Sequence, residues 1–158
     1  MLLVRIGRKG RWLGSDSSAD TAVKDLGLRP DELGLSVYRV DNMHDAINIA
    51  KVHAPTARKK VDKIDFILFD ENILGAIYGL ELIKTPSSLH PQLSEVHHEI
   101  LGLDPERAQL LAEAILGSPF CAERISADDL IESVRSRIAD DDAFKSYICD
   151  DWYSSATD

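Results

Sequence analysis

Ile64-Asp65-Phe66-Ile67-Leu68-Phe69 is the stretch on which the fold turns. Its apolar side chains follow one another without a polar alternation, so it reads as a central strand covered on both faces. Asp65 is the exception. An inward-pointing acid there requires a partner; the simpler reading leaves it wet at the start of the strand.

Working outward, Arg58-Lys59-Lys60 forms a basic link into this strand and Asp70-Glu71-Asn72 breaks it. Ile73 to Leu80 is ambiguous between helix and strand. A short helix ended by Gly79, then a strand over 80–84, is preferred, and Thr85-Pro86-Ser87-Ser88 reads as a boundary. On the N-terminal side, Leu2 to Ile6, the turn Gly7-Arg8-Lys9-Gly10 and Arg11 to Leu13 read as a β-hairpin. Ser15 to Ser18 offer caps for a helix over 19–26, which Gly27 ends. Arg29-Pro30-Asp31-Glu32 is a turn. Leu35 to Val40 is a strand. Asp41 caps a helix with Met43, Ala46, Ile47, Ala50 and Ala54 inward, and Pro55 stops it.

Beyond residue 88 the pattern becomes helical. A helix starting at Pro91 reaches Leu101. Asp104-Pro105-Glu106 opens another with Ala108, Leu111, Ala112 and Ile115 inward. Ser126-Ala127-Asp128-Asp129 opens a third, which Asp140-Asp141-Asp142 interrupts. Ala143 to Cys149 forms a last short helix burying Phe144, Tyr147 and Ile148, and the tail from Asp150 frays. The fold class is therefore α+β: a mixed sheet of about four or five strands in 1–88 with covering helices, then an acidic helical region in 89–158 packed on the same core.

Charge divides unevenly along the 158 residues. Residues 1–88 hold 13 Lys+Arg against 12 Asp+Glu; residues 89–158 hold 5 against 15. The asymmetry bears on partners rather than on fold. A formal net charge of −9 argues against nucleic acid as a partner for the whole surface, because phosphate binding requires local cations, which only the first half supplies. The basic residues fall in two groups, Arg5, Arg8, Lys9 and Arg11 beside Trp12, and Lys51, Arg58, Lys59, Lys60 and Lys63. A solvated basic hairpin, an acidic protein partner, single-stranded nucleic acid bound by charge and by stacking on Trp12, or the acidic half of the same chain or of a second copy would each account for them.

Cys121 and Cys149 lack CxxC spacing and read as reduced thiols. The N-terminal order, apolar then basic, is the reverse of a secretory signal, and no apolar run approaches the roughly 18 residues of a membrane span. A cytoplasmic location without membrane contact is expected. No sequence motif asks for a cofactor or a metal.

Three histidines, His90, His97 and His98, lie close to Glu95 and Glu99. In a helix from Pro91, His97 would share the arc of Leu93, Val96 and Ile100, which makes it a packed, hydrogen-bonded histidine, while His98 would be solvated. The sharper alternative is catalysis: His97 or His98 as general acid or base, with Asp70 or Glu71 orienting or binding, in a small hydrolase or transferase. Asp70 and Glu71 are also what a helix start after a strand attracts. The leading expectation is a non-enzymatic interaction protein of accessory, adaptor, inhibitor or immunity type. Its acidic helical face, including Asp140, Asp141 and Asp142, would meet a basic partner, and Trp152 and Tyr153, with Trp12 and Arg11 as further contacts, would anchor it.

Overall fold

The computed structural model describes residues 1–28 and 32–158, so the turn expected at Arg29-Pro30-Asp31 lies outside the described residues. Ile64–Asp70 is strand β3, buried along its length up to Asp70. Leu2–Ile6 is β1, Gly34–Val40 is β2, Glu81–Lys84 is β4, His97–Leu101 is β5 and Cys121–Ile125 is β6. They form one sheet in the order β4-β5-β2-β1-β3-β6, with every neighbouring pair antiparallel. The helices are α1 (Lys9–Trp12), α2 (Ala19–Ala22), α3 (Met43–Ala57), α4 (Pro91–Val96), α5 (Pro105–Leu116), α6 (Ala127–Asp140) and α7 (Asp150–Thr157). The fold is α+β.

Side chains alternate along β3, and each set meets a different layer of helices. Ile64, Phe66 and Leu68 join Val4 and Tyr38 beneath α3, α4, α6 and α7. Ile67 and Phe69 join Leu3, Val37 and Ile100 beneath α1, α2 and α5. An antiparallel sheet often leaves one face to water. This one is covered on both, and the unbroken apolar run of β3 records that.

Local signals set most helix starts. The side chains of Ser18, Asp104 and Ser126 accept the backbone N–H of Thr21, Arg107 and Asp129, each cap being worth about 1 kcal/mol. Asn42, not Asp41, caps α3, and Pro55 sits inside its last turn instead of stopping it. Residues 71–76 form a 3₁₀ helix capped by Asp70, followed by β4. The turn before β4 crosses the end of β5 so closely that a Cβ on Gly102 would lie 2.0 Å from the Gly79 carbonyl oxygen. Both glycines have positive φ, a conformation other residues adopt at a cost.

Four sequence expectations are corrected. The first 13 residues are not a hairpin: β1 is a central strand between β2 and β3, and Lys9–Trp12 is a helical turn. The expected helix over 91–101 ends at Val96, and His97–Leu101 continues as β5, paired to β2 from Gly34↔Leu101 to Tyr38↔His97. The sheet is antiparallel rather than mixed and takes β5 and β6 from beyond residue 88, where only helices were expected. The apolar spacing of 91–101 fits helix or strand; β2 has a side whose N–H and C=O groups need partners, and that decides it. Finally, the tail does not fray. It forms α7, with Trp152 buried at 0% exposure.

Candidate functional site

Each proposed site residue can be located. His97 faces Tyr38, ring centroids 5.5 Å apart, and its Nδ1 lies 2.9 Å from the Thr85 hydroxyl and 3.1 Å from the Thr85 carbonyl oxygen. It is a packed, hydrogen-bonded histidine, though it sits on a strand and not on a helix. His98, the next residue, points to the other side of β5, its Nδ1 3.0 Å from the Val96 carbonyl. It lines a polar cleft of about 460 Å³ with Arg39, Asp41, Lys84 and Glu95. Asp70 accepts the Asn72 N–H at 2.9 Å and so serves as a cap. Glu71 receives two bonds from Arg39, at 2.7 and 2.9 Å. That guanidinium holds the Glu71 carboxyl below its usual range against the opposing effect of burial. No hydrogen bond or ion pair joins Asp70 or Glu71 to His97 or His98, although the charge of His98 also acts to lower Glu71. Among the described residues, no three His, Cys, Asp or Glu side chains converge to hold a metal ion.

Two further histidines, His90 and His53, support the fold. His90 caps α4, accepting the Gln92 N–H at 3.1 Å, and packs against Tyr147 and Phe144. His53 on α3 meets the Tyr38 hydroxyl at 2.7 Å. Burial, assisted by Arg58 and Arg5, pushes the His53 imidazole down to about 4, and burial pushes the Tyr38 phenol up to about 12. Burial also lowers His90. A histidine with a depressed folded pKa contributes stability that is complete above its unfolded value of about 6.5 and is lost as pH falls towards the folded value. The urea midpoint is therefore expected to fall between pH 6.5 and 4, with a loss of about 2–3 kcal/mol. His53→Asn keeps an acceptor for Tyr38 and should flatten this arm of the profile. An unchanged profile in that variant would remove His53 as its cause.

Two acids tie down the backbone of the first basic group, and one of them also pairs with Arg11. Asp25 accepts the Arg8 N–H at 2.9 Å, the Trp12 indole N–H at 2.7 Å and Arg11 Nη1 at 2.6 Å. Asp65 accepts the Lys9 N–H at 2.9 Å and both arms of Arg124, at 2.7 and 2.9 Å. Asp65 thus has the partner an inward acid requires. Burial raises its carboxyl, the guanidinium and the N–H lower it, and the balance lies below the ordinary value. Trp12, 1% exposed, and Arg11 are held by Asp25, and Trp152 donates its indole N–H to the Arg58 carbonyl at 2.8 Å. Neither tryptophan is available as an anchor; Tyr153 is exposed.

The acids behave differently. All fifteen beyond residue 88 are exposed except half-buried Glu99. Three of them, Asp104, Glu132 and Asp142, have a cation within ion-pair distance, in each case the residue three positions along. The five cations of this half are all committed. Arg107 bonds the Tyr78 and Gly102 carbonyls, Arg124 bonds Asp65 and Arg135 bonds Glu132 and the Ala156 carbonyl. Arg137 bonds Gln92 and lies over the Phe144 ring, and Lys145 bonds Asp142. Ten of the acids fall between residues 121 and 158, on β6, α6, α7 and their connection. Asp104, Glu106 and Glu113 belong to α5 across the sheet.

On the α6 side a groove of about 820 Å³ opens between α3 and α6, floored by Phe66 and Ile125. Sequence reasoning missed it. Met43 and Ile47 were assigned to the inward face of the helix, but they are only half-buried and form one wall. The available signal was the polar stripe Asp129, Ser133, Ser136 and Asp140 along one side of α6, which makes the opposite wall. No helix among the described residues is long and apolar enough to cross a membrane. No family model matches the chain, and comparison with curated proteins and with solved structures also found no match.

Proposed function

We propose that this is a non-enzymatic cytoplasmic interaction protein, of accessory, adaptor, inhibitor or immunity type, that binds a basic protein partner through its acidic helical face. One observation carries the reading: over 89–158 every cation is committed to a neighbour, while twelve of the fifteen acids have no ion-pair partner among the described residues. A surface of this kind raises the encounter rate with a cationic partner and orients it, and like charges suppress wrong partners. The narrower statement of the face is α6, α7 and the Asp140-Asp141-Asp142 connection between them.

Binding is expected to weaken steeply as salt is raised, since the screening length drops from about 8 Å at 0.15 M to about 3 Å at 1 M. The immobilised protein should retain basic proteins at low salt and release them at high salt. A variant carrying Asp128→Asn, Asp129→Asn and Asp140→Asn should retain roughly tenfold less. Retention of the same proteins by wild type and variant, or of nothing at either salt, would defeat the reading.

A further inference from the structure

We infer that the groove between α3 and α6 is the anchoring part of this face and takes a cationic, amphipathic segment of the partner, an inference that rests on the reading above. Its two walls differ in chemistry. Met43 and Ile47 stand one turn apart on α3 and leave apolar surface half-exposed over a floor of Phe66 and Ile125. The α6 wall carries hydroxyls, carboxylates and the Arg137 guanidinium. Asp129 and Asp140 mark its ends, eleven residues or about 16 Å apart along the helix, with Ser133 and Ser136 between them. Glu123 on β6 adds a third acid beside the floor.

The cations that line the groove do not cancel these acids. Arg124 is paired with Asp65 and Glu132 with Arg135, which leaves Lys51 and Arg137 against Glu123, Asp129 and Asp140 among the described lining residues. A helical occupant of about three turns spans the distance between the two end acids. Its apolar stripe would cover Met43 and Ile47, and Lys or Arg on its other side would meet Asp129 and Asp140. This is the helix-in-groove mode, in which apolar anchors supply affinity and the charged rim supplies orientation.

The test uses two fluorescent probes of equal positive charge against the full chain: a Lys/Leu peptide with helical amphipathic spacing, and an oligolysine without apolar residues. The variants are Ser133→Trp, which fills the groove, and Ser136→Lys, which adds a cation to its exposed rim and leaves the interior untouched. Asp150→Asn with Asp151→Asn serves as a control at the start of α7. The amphipathic probe is expected to bind more tightly than oligolysine and to lose roughly tenfold in affinity with each groove variant. The α7 control should weaken both probes alike. Equal binding of the two probes, or amphipathic binding that survives both groove variants, overturns the groove and leaves the acidic face standing. Failure of both probes to bind wild type at low salt overturns the acidic face itself.

Discussion

Trp152→Ala is expected to lower unfolding free energy by about 3–5 kcal/mol, the range for removing a large aromatic side chain from a packed core. Trp152 is wholly buried on α7, in the cluster that holds Leu130 and Val134 of α6 with Phe144 and Ile148. Its indole N–H satisfies the Arg58 carbonyl, so α7 is fixed to the end of α3, and the Cys149 N–H bonds the Pro55 carbonyl at 3.0 Å beside it. Truncation leaves a cavity and an unpaired carbonyl together. Trp152→Phe keeps most of the ring and loses only the donor, so it should cost about 1–2 kcal/mol. Tyr153→Ala, one residue along and exposed, should stay within about 0.5 kcal/mol of wild type. Urea unfolding of the three variants measures this directly. A Trp152→Ala midpoint equal to wild type would contradict the buried placement of α7.

The second large effect is expected at Asp25. Asp25→Ala should cost about 3–5 kcal/mol, because it removes the anion from a buried pair and strands its donors. Those donors are the Arg8 N–H, the Trp12 indole N–H and the Arg11 guanidinium, and only the guanidinium can turn to water. Asp25→Asn retains an acceptor for one or two of them and should lose about half as much. Gly7→Ala reaches the same carboxylate from the other side, since an ideal Cβ there lies 2.6 Å from Asp25 Oδ2. Unfolding free energy and the exchange rate of the Trp12 indole proton report the outcome. An indole proton as protected in Asp25→Ala as in wild type would show that the carboxylate does not hold the segment.

These two positions explain how the protein's charge is arranged. Residues 1–88 are near neutral by count, and the backbone of Arg8-Lys9-Gly10-Arg11 is tied down by acids. Asp25 and Asp65 accept the N–H groups of Arg8 and Lys9 at the start of α1, where a negative charge complements the unsatisfied donors of a helical turn. Within the first basic group Arg11 pairs with Asp25 and Arg5 bonds the Asp25 and Ser36 carbonyls, Arg8 is exposed, and the acids of α6 and α7 face outward. The charge asymmetry along the chain thus becomes an asymmetry on the surface.

Several features were fixed by neighbouring residues alone. β3 was legible as a doubly covered strand because Ile64 to Phe69 carry the pattern within the segment itself. The starts of α2, α5 and α6 were legible because Ser18, Asp104 and Ser126 each bond a donor three residues away. The acid excess beyond residue 88 is likewise a property of composition. Tertiary structure alone decided the rest. His97–Leu101 became β5 because β2 lies beside it, and β6 exists because β3 offers its other side; neither has a local pattern that excludes a helix or a loop. The fate of Asp65 depends on Arg124, 59 residues away, and that of Trp152 on a carbonyl 94 residues away. Caps and strand patterns are energies of a few adjacent residues, whereas ladder partners, ion pairs and burial of a ring depend on which distant segments the closed chain brings together.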